Sequence, residues 1–331
     1  MRPVGFREAA QRWGTADPEL AFRLHALVGG PPEDRAWVGG AGPASLADLD
    51  PWVARWLLDP ASPMFGAGGR ALREASTAAD PGALASVLAA ISGGAVRAGQ
   101  IAAALGQPGD VVDRLLGELA ALGLVERLAD PLGAGEDACV IISPVVRLHQ
   151  LVIAPHETAL AAGQAKQVWA AGQGTVAAWV YRPHFASVSR QWCLRHADPA
   201  TLGGAARGAR PVAIDCPEHG ADHELEALVV EDPVATGRVL AIGATMAATP
   251  TGPAGQTHAA SATGGTTDPP MDVARLEWLE HLRGLLPPRR IVPPPRLLLF
   301  SRSGFTPDLV DKAAARPDIE LVGIDRIYWG A

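Results

Sequence analysis

Lysine is nearly missing from this sequence: of its 28 basic residues, only Lys166 and Lys312 are lysines. A Walker A loop needs a lysine beside Ser or Thr at a helix start, where it reaches the nucleotide phosphates. Lys166 lies in GQAKQ and Lys312 in VDKAA, so neither fits, and ATP binding or hydrolysis by this chain alone is not expected. The glycine clusters GGAG (39–42) and GAGG (66–69) follow no strand-like run and read as loops. Cysteine is scarce as well. Cys139, Cys193 and Cys216 are too few and too dispersed for a disulfide framework, which suits a reducing compartment. No run of about 18 apolar residues occurs. The opening MRPVGFREAAQRWG carries charges where a signal peptide needs its apolar region. A cytoplasmic protein without a membrane span is therefore the expectation. Also missing are the Gly-x-Ser-x-Gly elbow, His-Glu-x-x-His and a dinucleotide fingerprint after a strand. Ser301 and Ser303 read as turn caps, and His25, His149, His156 and His281 as scattered, packed or exposed residues.

What is present is an ordinary globular composition, 48% hydrophobic and 19% charged, in 331 residues, long enough for two or three domains. The net charge of −7 gives no global attraction to nucleic acid, so such binding would need a local patch. Residues 1–80 read as a small helical unit. DPELAFRLHALVGG sets Leu20, Leu24 and Leu27 at helical spacing between an Asp17-Pro18 start and a Gly29-Gly30 stop, and a second helix runs from Pro51 to Pro60. Residues 81–143 give three helices, GALASVLAAISGG, RAGQIAAALGQ and DVVDRLLGELAALGLVERL, followed by two short apolar stretches, LVERLAD and DACVIIS, around a Gly-rich loop. That order is the pattern of a winged helix-turn-helix. Its candidate nucleic-acid contacts are Arg97, Arg114 and Arg127, but Asp110, Asp113, Glu118, Glu126 and Asp130 outnumber them. DNA affinity rests on cations neutralising phosphates, so a structural or protein-docking role is preferred.

Residues 144–331 begin with helices. From residue 174 the order reads helix, three strands, helix, strand, helix and a final extended piece, IELVGIDRIYW, an α/β sandwich. Between the third strand and the next helix, the stretch near 247–270 is Ala, Thr, Gly and Pro with almost no bulk or charge, and reads as a disordered insertion.

RLLLFSRSGFTPDLVDKAAARPDIELVGIDRIY (296–328) resembles the C-terminal signature of the archaeal-type AAA ATPase family. Members of that family end in a domain of unknown function related to PD-(D/E)xK nucleases. The PHF of 183–185, VIISPVVRLHQLVIAP (140–155) and PELAFRLHALVGG (18–30) resemble the same family in the same order, so the resemblance covers nearly the whole chain. It implies the family's downstream half: helical lid, winged helix and a C-terminal α/β restriction-endonuclease-like domain, an α+β multidomain chain without the nucleotide-binding domain. A separate ATPase is an implied partner.

A PD-(D/E)xK site holds Mg²⁺ with acidic groups on adjacent strands and uses a lysine near the attacking water. By that resemblance the acidic position after PHF is Ala186, and the strand aspartate is Glu226, with Glu224 two residues away on the same face. The partner strand, where Gly-Glu-x-Lys belongs, reads Gly243, Ala244, Thr245, Met246. With the second carboxylate and the amine both gone, the expectation is a degenerate nuclease position without catalysis. Its carboxylates would then be a solvated strand face or partners of nearby arginines.

One competing constellation is a zinc site from Cys193 and His196 with Cys216 and His219, two Cys-x2-His pairs with His223 close behind. Against it stands the lack of a recognisable tight ββ framework. The reading preferred from the residues is a non-catalytic protein that binds a protein or nucleic acid, without a cofactor. Its alternatives are a metal-dependent nuclease with a rearranged Mg²⁺ site and a winged-helix DNA-binding regulator.

Overall fold

The computed structural model describes residues 4–32, 35–75, 80–133, 135–232, 237–245 and 268–331. It is a mixed α+β protein that divides into two compact units, Met1–Leu128 with Asp137–Tyr181, and Ala129–Glu136 with Arg182–Ala331. No helix among the described residues is long and apolar enough to cross a membrane.

The first unit is helical. α1 (Phe6–Trp13), α2 (Pro18–Val28), α3 (Leu49–Trp56) and α4 (Ala67–Ala75) come first. α2 starts where Asp17 accepts from the Glu19 and Leu20 amides, with Pro18 in the first turn, and it stops at Gly29, whose φ is 75°. Next come α5 (Pro81–Ser92), α6 (Ala98–Leu105) and α7 (Gly109–Ala121), then an antiparallel ribbon of β1 (Val125–Leu128) and β2 (Ala138–Ile141). An isolated antiparallel bridge joins Arg97 to Ala138. Leu84, Leu88, Ile101, Val112, Leu116 and Leu119 supply the apolar seam of this part and are fully buried. α8 (Pro144–Leu148), α9 (Glu157–Ala161) and α10 (Ala165–Val176) complete the unit.

The second unit is built on five strands. After α11 (Arg182–Arg195) and α12 (Pro199–Leu202), the chain forms β3 (Gly208–Cys216), β4 (Ala221–Val230) and β5 (Val239–Thr245). It continues through α13 (Val273–Leu285), β6 (Arg296–Ser301), α14 (Pro307–Ala314), β7 (Ile319–Gly323) and α15 (Ile324–Trp329). The strands lie in sequence order. β3–β4 and β4–β5 pair antiparallel, β5–β6 and β6–β7 parallel. Parallel neighbours need crossovers, and α13 and α14 supply them. α13 and α14 pack with Val212, Leu225, Leu228, Ile242 and Leu299 in one apolar cluster. α11 and α15 cover the other face, where Trp192 meets Phe300 edge-on at 6.0 Å. Gly243 stands where a Cβ would meet the Phe300 ring at 2.8 Å.

Three expectations change, the first being the glycine cluster at 66–69: Ala67, Gly68 and Gly69 open α4 instead of forming a loop. The closing stretch is not wholly extended: Ile324–Trp329 is helical. Its Ile, Tyr and Trp have strand propensity, but helical spacing lets Ile324, Ile327 and Tyr328 all be buried. The loop between β1 and β2 also belongs to the second unit: Leu132 packs on that unit's core, and Arg290 donates to the Pro131 carbonyl at 2.8 Å. The expected insertion lies, up to residue 267, outside the described residues.

Candidate functional site

The strand carboxylates occupy unlike surroundings. Glu224 is exposed, whereas the Glu226 side chain keeps only 15% of its surface. The cause is a bulge: Val212 pairs with Leu225 and Arg210 with Leu228, so Glu226 and Ala227 together oppose Pro211. Arg275, from the first turn of α13, donates to Glu226 Oε1 at 3.1 Å and to the Thr245 carbonyl at 2.9 Å. Arg190, from α11, donates to the Glu226 carbonyl at 2.8 Å. Burial pushes the Glu226 carboxyl up, and the Arg275 guanidinium opposes it. The β5 residue within reach of Glu226 is Thr245, whose hydroxyl lies 3.5 Å from Oε1.

Glu224 thus faces solvent, while Glu226 faces the Arg275 guanidinium. Ala244, expected at the second ligand position, is buried in the apolar cluster of α13, and Ala186 is buried on α11. Met246 lies outside the described residues. The cation beside the remaining carboxylate is an arginine of the chain itself.

Of the three candidate nucleic-acid residues, two are engaged by acids of their own unit. Arg114 pairs with Glu118 at 2.9 Å along α7, and Arg127 with Asp113 at 3.2 Å. Arg97 stands at the start of α6, where its amide donates to Gln100 Oε1 at 3.1 Å.

A different set of side chains converges at the turn end of the β3–β4 hairpin. β3 ends at Cys216. Pro217, Glu218, His219 and Gly220 make the turn, and Ala221 opens β4 opposite Cys216. Pro217 presets the turn and Gly220 takes the positive φ, 59°, with which it closes. The His219 and Gly220 amides both donate to the Cys216 carbonyl, at 3.1 and 2.9 Å. This turn folds His219 back over Cys216, and the strand period brings His223 in from β4. His281 arrives from the middle of α13.

Cys216 Sγ lies 3.1 Å from His219 Nδ1 and 3.3 Å from His281 Nε2, while His223 Nε2 lies 3.4 Å from His219 Nδ1. All four ligand atoms fall within 4.8 Å of one another. Cys216 and His223 are buried, His281 is half-buried and His219 is exposed. The rings meet edge-on, His219 and His223 at 5.2 Å and His219 and His281 at 5.5 Å between centroids. Burial lowers the His223 imidazole, with His219 and His281 pushing the same way.

The competing zinc constellation read from the sequence shares two residues with this cluster. Cys216 and His219 are in the cluster, but Cys193 and His196 are not. Cys193 is buried on α11, where desolvation, opposed by Arg190, pushes its thiol up to about 12. It stays a protonated packing group. Cys216 and His219 sit at the tight β3–β4 turn. His281, read as an isolated histidine, is a member, and no spacing rule could find it because 57 residues separate it from His223. No family model matches the chain, and neither does any curated protein or solved structure.

Proposed function

We propose that the chain is a non-catalytic binding protein related to the C-terminal half of archaeal-type ATPases. In it a winged helix-turn-helix and a restriction-endonuclease-like α/β unit serve as scaffold. The observation that carries this reading is the Glu226–Arg275 pair. A Mg²⁺ site needs several oxygen ligands around one small ion. Here the strand carboxylate already has a guanidinium at 3.1 Å, and its β5 neighbours offer a threonine and a core alanine. The three-helix-and-ribbon part keeps a winged-helix order, but its arginines are spent on Glu118 and Asp113, and the loop of its ribbon packs in the second unit. A protein partner, a separate ATPase among them, fits these features better than nucleic acid does.

The test is incubation of the purified full chain with single- and double-stranded DNA and RNA in Mg²⁺ or Mn²⁺, beside Glu226→Gln, with anisotropy of labelled duplex across a salt series. No cleavage is expected, and only weak duplex binding that salt abolishes. Metal-dependent cutting that disappears in Glu226→Gln would make the chain a nuclease. Tight binding weakened by Arg114→Ala would make it a DNA-binding regulator.

A further inference from the structure

We infer that Cys216, His219, His223 and His281 form a structural zinc site that ties the β3–β4 hairpin to α13. The inference stands apart from the binding reading above, since either can fail alone.

The distances carry it first. Zinc bonds of about 2.3 Å to thiolate and 2.0–2.1 Å to imidazole set tetrahedral edges of about 3.3–3.6 Å between ligand atoms. The three shortest separations, 3.1, 3.3 and 3.4 Å, lie within a few tenths of an ångström of that range. The remaining separations reach at most 4.8 Å, so a tetrahedral ion would draw those ligands together by about an ångström. The donor set is the second support. One sulfur and three imidazole nitrogens suit zinc, whereas Mg²⁺ and Ca²⁺ take oxygen ligands. Four protein ligands close the coordination sphere, which is the mark of a structural site.

Local architecture is the third. In the C-P-E-H turn two backbone amides donate to the Cys216 carbonyl, which brings Cys216 and His219 side by side, and their side chains meet at 3.1 Å. His223 is fixed by the strand and buried at 4%, and Trp278, one turn before His281 on α13, faces its ring at 6.5 Å. Glu218 Oε2 lies 3.9 Å from His281 Nδ1, the nitrogen turned away from the cluster, where a carboxylate can orient a ligating imidazole. A thiol–imidazole hydrogen-bond network could use the same geometry, but it would take up no metal.

Full-length protein, stripped with a chelator, is titrated with Zn²⁺ against a competing indicator and with Co²⁺ under anaerobic conditions, and thermal melts are recorded in parallel. One equivalent of zinc should bind. Cobalt should give the visible bands of a tetrahedral site with a thiolate-to-metal charge-transfer band, and zinc should raise the melting temperature. Cys216→Ser should abolish the charge-transfer band. His281→Asn should weaken zinc by more than the tenfold to hundredfold that loss of an outer-shell partner costs. The double variant Cys193→Ser/His196→Asn should leave uptake and spectrum unchanged. Absence of stoichiometric uptake by the native chain overturns the site whatever the variants do. So does uptake that survives both Cys216→Ser and His281→Asn, or that is lost in the Cys193/His196 variant.

Discussion

Replacing Arg275 with methionine leaves Glu226 in place and removes its cation. The Glu226 and Arg275 side chains retain 15% and 10% of their surfaces, so the pair is largely desolvated. Removing one partner of such a pair costs about 3–5 kcal/mol, because the other charge stays buried and uncompensated. Two further losses add to it. The Thr245 carbonyl loses its 2.9 Å donor, and the guanidinium that lies 4.0 Å from the Trp278 ring centroid disappears, a contact worth about 0.5–2 kcal/mol. Methionine keeps most of the stem, so lost alkyl packing is small. With a urea slope of about 3 kcal/mol/M, the steep end of the usual range and the one a chain of this length calls for, the midpoint should fall by about 1–2 M.

The sign of the pH dependence then identifies the cause. Burial already raises the Glu226 carboxyl, and loss of Arg275 removes the largest influence opposing it, leaving backbone hydrogen bonds and Arg190. Its folded pKa lies above the unfolded value, so the folded state binds the extra proton, and stability returns as pH falls from 7 toward 5. Glu226→Leu/Arg275→Met removes both charges and should recover at least half of the loss. Urea melts of the three proteins at pH 7 and pH 5 measure this. If Arg275→Met loses less than about 1 kcal/mol, or shows no gain relative to wild type in acid, the buried-pair account is wrong.

Asp318 should show the opposite acid behaviour. Hydrogen bonds from Arg316 and then Arg283 hold its carboxyl well below the usual range, both at 2.8 Å to Oδ2. Its contribution is present above the unfolded pKa and is lost as pH falls below about 5 toward the depressed folded value. The gap between wild type and Asp318→Asn in urea melts should therefore be full at pH 7 and shrink with acid, and salt should narrow it because the carboxylate is partly exposed. Arg290→Ala should free the β1–β2 loop: buried Arg290 donates to Pro131 and Gly237 carbonyls at 2.8 and 2.7 Å, and losing such bonds costs about 1–3 kcal/mol each. A glutamate-specific protease should then cut after Glu136 faster than in wild type, and an unchanged rate would count against the loop's docking.

Much of the fold is legible because its signals are local. Asp17-Pro18 and Gly29 bracket α2 by capping chemistry alone, and Leu276, Leu279 and Leu282 mark the buried face of α13 by spacing. The order of strands and helices in the second unit follows from such runs. The site is less legible because its geometry is not local. Cys216 and His219 could be paired from sequence, and the Cys-x2-His repeat at 193–196 offered equal spacing, but a helix buried beneath the other face of the sheet cannot deliver its thiol to the hairpin turn. Only the packing of α13 decides that His281 is the fourth member. A bulge likewise carries no sequence mark: Glu224 and Glu226 alternate as if on one face, yet the two-for-one pairing opposite Pro211 sends Glu226 to Arg275.

The two sites also differ in what they ask of a divalent ion. At Glu226 an incoming Mg²⁺ would have to displace a guanidinium held by two hydrogen bonds and stacked on Trp278, with one carboxylate as its gain. At the hairpin turn, a sulfur and three imidazole nitrogens lie within 4.8 Å of one another. Charge neutralised within the chain leaves no vacancy for metal, whereas converging lone pairs create one. A divalent ion added to this protein should therefore stabilise it through Cys216 and His281 and leave the Glu226–Arg275 pair as it is. Cobalt spectra of Arg275→Met should match those of wild type even as its stability falls. A cobalt spectrum that changed with Arg275 would place the ion at the strand carboxylate and refute that division of roles.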